Sequence, residues 1–138
     1  MTTMIPTPHD IHEWSDGERS LFDQLRAGRA IVINRGGRLW KGTDGFKRIL
    51  AYAREHNLHY YCGRPSHYGN PFRPAERTAA AHQAVVDKYR QHLLNDPYLL
   101  AGVSAFAGRV ICCDCKPLPC HGDILAELAN KSLTPPQP

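Results

Sequence analysis

The sequence predicts one α/β domain, an open and mainly parallel sheet of three or four strands flanked by helices, Rossmann-like in plan. Three observations predict it. Short β-branched or aromatic runs at residues 30–33, 58–62 and 108–113 alternate with stretches of helical periodicity, the order that builds a parallel sheet with crossover helices. Each run ends in an irregular segment bearing Gly or Pro, and in such sheets ligands bind beyond the carboxyl ends of the strands. Finally, a chain of 138 residues fits a single hydrophobic core without cross-links.

The elements follow in order. Residues 1–13 carry prolines and threonines without periodicity and are expected to form a flexible arm, leaving 14–131 as the domain. Ser15-Asp-Gly-Glu18 has the spacing of a capping box, and Leu21, Phe22 and Leu25 form an apolar stripe before Gly28, so a short helix starts there. Residues 30–33 suit a strand buried on both faces. It ends in Asn34-Arg-Gly-Gly-Arg38, a turn that can expose backbone N–H groups. Thr43 or Asp44 can cap the next helix, in which Phe46, Ile49, Leu50 and Ala53 share a face and which Asn57 stops.

The aromatic run 58–62 reads as the second strand. It feeds Gly63-Arg-Pro-Ser-His-Tyr-Gly-Asn-Pro-Phe72, whose two Gly and two Pro exclude regular structure. A longer helix is expected over 75–94, with Ala81, Val85, Tyr89 and Leu93 four apart, ended by Asn95-Asp-Pro97. Residues 98–106 read as a short helical or turn segment. In the third strand, Ile111 and Cys113 fall on one face and Val110 and Cys112 on the other. The last helix opens at Cys120-His-Gly-Asp123 and runs on through Leu128, and residues 132–138, rich in proline, are expected to be a disordered tail.

Composition narrows the classes. No run of about 18 apolar residues is present to span a bilayer, and the first residues lack the pattern of a secretory signal, so a soluble cytoplasmic protein with no membrane partner is expected. Five cysteines, four of them between Cys112 and Cys120, do not resemble a secreted disulfide framework. The formal charge of +4, from 17 basic and 13 acidic residues, mildly favours an anionic partner.

Cys113, Cys115, Cys120 and His121 offer the thiolate and imidazole donors of a zinc site, although the C-x-C and C-H spacings depart from the common pattern. Cys120, beside a helix start, His121 and Lys116, suits a reactive thiol, with an inert packed cysteine as the alternative. Cys112 and Cys62 read as small buried apolar groups. Asp123 is expected to favour its helix dipole, with orientation of His121 or proton acceptance from a substrate as the functional alternative. Arg64 can pair with a phosphate, and Ser66 and Asn70 either satisfy their own turn or meet a ligand. Asn34, Arg35 and the Gly36-Gly37 pair are candidates for a phosphate cradle, the amides near Gly122 can hold a phosphate, and Lys116 is a further candidate ligand contact. Trp40 reads as packing. The histidines at 9, 12, 56, 59, 82 and 92 lack metal spacing and are expected on helix surfaces or in loops.

Two stretches together carry a resemblance. The segment from Gly63 to Phe72 resembles the G-R-P-S-x-x-G-N-P-F element of the domain of unknown function 4326 family, found in bacteria and phages. The segment Cys113-Asp-Cys-Lys-Pro-Leu-Pro-Cys-His-Gly-Asp123 resembles that family's C-x-C-K-P-x-x-C-H-G-D element. The resemblance spans roughly residues 30–128. Asp114 departs from it, standing where the family often has an aromatic residue, usually Trp. The resemblance implies a compact α/β domain in which both motifs form one site, and it implies no established reaction.

The expected function is a nucleotide- or nucleic-acid-base-processing enzyme, with glycosyl-bond cleavage or transfer as the first reaction class. Cys120, Asp123 and His121 are its candidate catalytic groups; Asn34, Arg35, Arg64, Ser66, Asn70, Lys116 and Gly122 are its candidate ligand contacts. This scheme requires no cofactor. The alternatives are a protein that sequesters a nucleotide without turnover, and a nucleic-acid-binding module stabilised by zinc. A phage-encoded copy would act in the host cytoplasm.

Overall fold

A computed structural model describes residues 5–35, 45–116 and 118–131. The expected cradle at Gly36-Gly37, the packing of Trp40, the helix cap at Thr43 or Asp44 and the tail from 132 lie outside the described residues. Three strands, β1 (Ile31–Asn34), β2 (His59–Tyr61) and β3 (Val110–Cys113), form one all-parallel sheet in the order β1-β3-β2. Among the described residues, five α-helices surround it: α1 (Asp16–Arg26), α2 (Lys47–Glu55), α3 (Ala79–Leu94), α4 (Pro97–Gly102) and α5 (His121–Asn130). None of the helices among the described residues is long and apolar enough to cross a membrane.

The last strand in sequence is the central one in space, and all four of its residues are buried. Its alternation sorts the core into two layers. Val110 and Cys112 join Ile31 and Ile33 against Trp14, Phe22, Ile49 and Tyr52 of the N-terminal segment, α1 and α2. Ile111 and Cys113 face the other way, toward Val86, Tyr89, Ile124 and Leu125 of α3 and α5. The backbone of Ala30, where β1 begins, is held from that second side, since the Asn130 side chain accepts from its N–H at 2.7 Å and donates to its carbonyl at 3.0 Å.

Local chemistry sets the helix ends. Ser15 and Glu18 close the capping box of α1, and Asn57, with φ of 55°, turns the chain after α2, a conformation Asn tolerates better than most residues. The helix expected from residue 75 begins at Ala79 instead, because extended Thr78 caps it by accepting from the Ala81 N–H. Residues 97–106 divide into α4, capped by Asp96, and a 3-10 turn over Val103–Phe106. Residues 5–13 lie along α2, with the Tyr52 hydroxyl donating to the Pro6 carbonyl at 2.6 Å.

Glu18 does more than close its own box. It is only 3% exposed; one carboxylate oxygen accepts from the Ser15 N–H at 3.1 Å and the other from the Ile49 N–H at 2.9 Å, in the first turn of α2. One carboxylate thus satisfies two helix starts, where negative charge is favoured. Glu18→Ala is expected to cost about 2–4 kcal/mol by urea denaturation, because two buried donors lose a charged acceptor. A cost below about 1 kcal/mol would contradict this role.

Candidate functional site

The carboxyl edge of the sheet gathers the chemistry because β3 lies between the other two strands. The chain leaving β1 is pinned there by the Arg35 N–H, which donates to the Cys113 carbonyl at 2.7 Å; the chain leaving β2 is pinned by the Cys62 N–H, which donates to the Cys112 carbonyl at 3.0 Å. Cys62 and Cys113 therefore end neighbouring strands. The chain then loops back, and Cys120 takes the cap position of α5 in extended conformation.

Two features hold that helix start against the sheet. The Gly122 N–H donates to the Cys120 sulfur at 3.3 Å, and the Asp123 carboxylate accepts from the Cys120 N–H at the same distance. A Cβ on Gly122 would stand 3.2 Å from Val32 Cγ1, 3.3 Å from Cys62 Sγ and 3.3 Å from Ile111 Cγ2. A side chain there would crowd all three neighbours by a few tenths of an ångström, so the glycine eases the close approach that seats Cys120 beside Cys62.

The Cys120 thiol interacts with the thiols of Cys62, Cys113 and Cys115. These contacts push Cys120 up, while the hydrogen bond from Cys120 brings Cys62 and Cys115 down to about 6 against the opposing effect of burial. The same hydrogen bond lowers Cys113. Cys112, on the other face, is raised by burial to about 11, as a packed apolar thiol should be. His121 is buried, with Nε2 2.6 Å from the Cys62 carbonyl. Burial disfavours its imidazolium, but the adjoining Cys62 side chain and carbonyl outweigh it and raise His121 overall.

Above this cluster lies a cavity of about 250 Å³, lined among others by Arg64, Asn70, Phe72, His82, Cys115 and Cys120. Both sequence motifs contribute to it. A larger depression of about 440 Å³ between residues 6–10 and α2 has no cysteine in its lining, so size alone does not locate the chemistry.

The sequence-nominated residues divide. Arg64, Asn70, Cys113, Cys115, Cys120 and His121 line the cavity; Asn34, Arg35, Ser66, Lys116, Gly122 and Asp123 are not among its lining residues. Lys116 pairs with Asp123 at 2.7 Å, and Arg35 pairs with Asp114 at 2.6 Å while its guanidinium lies over the Tyr61 ring. Asn34 donates to the Lys116 carbonyl, tying β1 to the cysteine loop. Asn70 donates to the Val85 carbonyl and accepts from the Phe72 N–H, so its amide serves its own loop and α3. Ser66 turns the loop through its backbone, and its buried hydroxyl has no partner among the described residues. The Gly122 amide, a candidate for phosphate, is given to Cys120.

Arg64 differs from these cations. It is exposed at the cavity and, among the described residues, makes no ion pair or hydrogen bond. Asp114 also lines the cavity, and the hydrogen bond it accepts from Tyr61 raises that phenol to about 12.

One residue corrects the sequence reading and another adds to it. His82, expected on a helix surface or in a loop, is 6% exposed and lines the cavity; its Nε2 has no hydrogen-bond partner among the described residues, and its ring meets the Cys115 thiol. Its place on the stripe of Val85, Val86 and Tyr89 was the available signal. Cys62, read as a packed apolar thiol, is 0% exposed yet contacts Cys120 and His121. The Cys62 and Cys120 sulfurs and one imidazole nitrogen of His121 all lie within 4.8 Å of one another. Of the four residues that donor type nominates for zinc, two belong to this group, and Cys113 and Cys115 border it through Cys120.

A family model described as Domain of unknown function (DUF4326) matches residues 49–131, more than half of the chain, and this span holds both motifs. No curated protein and no solved structure matches the chain.

Proposed function

The chain belongs to the DUF4326 family, and we propose that it processes a nucleotide or nucleic-acid base in the cavity at the carboxyl edge of its sheet. The observation that carries this reading is two polar groups brought to one cavity, the exposed Arg64 guanidinium and the buried Nε2 of His82, which has no hydrogen-bond partner among the described residues. A buried polar atom without a partner costs free energy that a ligand can recover. A guanidinium matches a phosphate, and an imidazole nitrogen can meet a base edge. Tyr61 and Phe72 supply aromatic surface in the same lining. The volume, about 250 Å³, falls just under the roughly 300–1,000 Å³ of cavities that enclose drug-sized ligands. That favours a base or a sugar phosphate over a dinucleotide.

In this scheme Arg64 holds phosphate, His82 and the rings hold the base, and the cluster around Cys120 and His121 forms the reacting end. Glycosyl cleavage or transfer is the first reaction to assay: the sugar–base bond breaks, the oxygen of water or of a second acceptor bonds to the sugar, and the proton which that oxygen gives up goes to the departing base. The protein would act in the cytoplasm.

One observation favours a second reading, sequestration without turnover. Asp114 is the cavity's carboxylate among the described lining residues, and it is engaged by Arg35 and Tyr61. Incubation with a panel of nucleosides and nucleotides, followed by product analysis, separates the readings. Converted ligand supports the enzyme, stoichiometric recovery of unaltered ligand supports the sequestering protein, and absence of binding contradicts both. Arg64→Ala is expected to weaken a phosphorylated ligand by at least about tenfold and to leave the matching nucleoside unaffected. Equal losses for both would contradict the phosphate assignment.

A further inference from the structure

Cys62 leaves β2, Cys120 caps α5, and His121 begins that helix; their two sulfurs and one imidazole nitrogen lie within 4.8 Å of one another, all three residues buried. From this juxtaposition we propose that Cys62, Cys120 and His121 hold a Zn²⁺ ion whose fourth position opens on the cavity.

The donor set is that of zinc, since thiolate and imidazole are its preferred ligands. Zinc bonds of about 2.3 Å to sulfur and 2.0 Å to nitrogen place tetrahedral donors roughly 3.5–3.8 Å apart. Closing the two sulfurs onto an ion therefore takes shifts of about 1 Å or less. Two thiolates balance the charge of the ion, so the buried centre carries no net charge. His121 has the support that metal-binding imidazoles generally have: Nε2 meets the Cys62 carbonyl at 2.6 Å, which leaves Nδ1 as the nitrogen with a free lone pair.

The fourth position follows from which thiols stay out of the group. Cys113 and Cys115 interact with Cys120, but the described residues that lie mutually within 4.8 Å are Cys62, Cys120 and His121. Three protein ligands and one exchangeable position are the arrangement of catalytic zinc, whereas structural zinc is closed by four. Cys120 and His121 line the cavity, and His82 lines it too, buried and with Nε2 unpartnered. That imidazole can hydrogen-bond a water in the open position. Metal binding does not rest on the nucleotide reading, and either can fail without the other.

The test uses the full chain purified under reducing conditions and analysed for metal. About one zinc per chain is expected. After exchange for Co²⁺, the protein should show the visible bands of a four-coordinate ion with thiolate-to-cobalt charge transfer, and added azide should shift them. Cys62→Ser and Cys120→Ser should each lower metal affinity by at least about tenfold, while Cys112→Ser, Cys113→Ser and Cys115→Ser should retain one ion per chain. The wild-type cobalt titration needs no variant, so it decides the question even if a substitution prevents folding. A metal-free protein that gives no cobalt spectrum, or one isolated with a Cys62–Cys120 disulfide and no affinity for either ion, would overturn the proposal. So would bands indifferent to azide, or metal lost from Cys115→Ser and kept by Cys62→Ser.

Discussion

Cys120→Ser protein is expected to fold normally and to lose turnover of the wild-type substrate by at least about 100-fold, equivalent to about 2.7 kcal/mol of transition-state stabilisation. The substitution separates the two tasks of this residue. As the cap of α5, Cys120 accepts from the Gly122 N–H; serine is among the best cap residues and should preserve the helix start. As the centre of the thiol cluster it interacts with Cys62, Cys113 and Cys115, and a hydroxyl reproduces neither the nucleophilicity nor the metal affinity of a thiolate. Cys112→Ser is the matched control. That thiol sits in the layer of α1 and α2, near the Val110 carbonyl, so its replacement should cost about 1–2 kcal/mol of stability and leave turnover unchanged. Steady-state kinetics with thermal melts of both proteins check the pair. Undiminished turnover in Cys120→Ser, or an equal loss in Cys112→Ser, would contradict the placement of the reacting end.

The largest effect on stability is expected at Tyr89. Its side chain is fully buried, its hydroxyl donates to the Tyr68 carbonyl at 2.8 Å, and its ring meets that of His121 at 4.8 Å between centroids. Tyr68 belongs to the first motif and His121 to the second, so Tyr89 of α3 is the packed link between them. Tyr89→Ala should cost about 3–5 kcal/mol from lost contacts and the cavity left behind, a large part of the roughly 5–15 kcal/mol that stabilises a typical domain. Tyr89→Phe should cost only about 1–2 kcal/mol, the penalty of a buried carbonyl without its donor. Urea denaturation of the two variants measures the difference. Equal costs would mean that the hydroxyl, and not the ring, carries the link.

Much of the fold was legible because it is written locally. The capping box at Ser15 and Glu18, the stop at Asn57 and the alternation along β3 each depend on a few adjacent residues, and each appears as expected. The start of α3 was missed because the apolar period fixes the face of a helix and not its end; the Thr78 cap sets the end. Within the site, the meeting of the two motifs follows from the parallel order of the strands, but the partners of the charged groups do not. Lys116 and Arg35 look like free cations in sequence, and only the fold brings Asp123 and Asp114 to them. Cys62 was read as packing for the same reason. Its strand had to be placed next to β3, and Gly122 had to let α5 close on the sheet, before its sulfur could stand beside Cys120.

The central claim is that the segments from Gly63 to Phe72 and from Cys113 to Asp123 form one ligand site, and amide hydrogen exchange tests it most directly. Exchange is followed with and without a saturating concentration of whichever nucleotide or nucleoside the wild-type protein binds. Slowed exchange in both segments together, with residues 6–10 and α2 unchanged, is the predicted result. Slowing confined to one segment, or centred on the depression beside α2, would contradict the shared site.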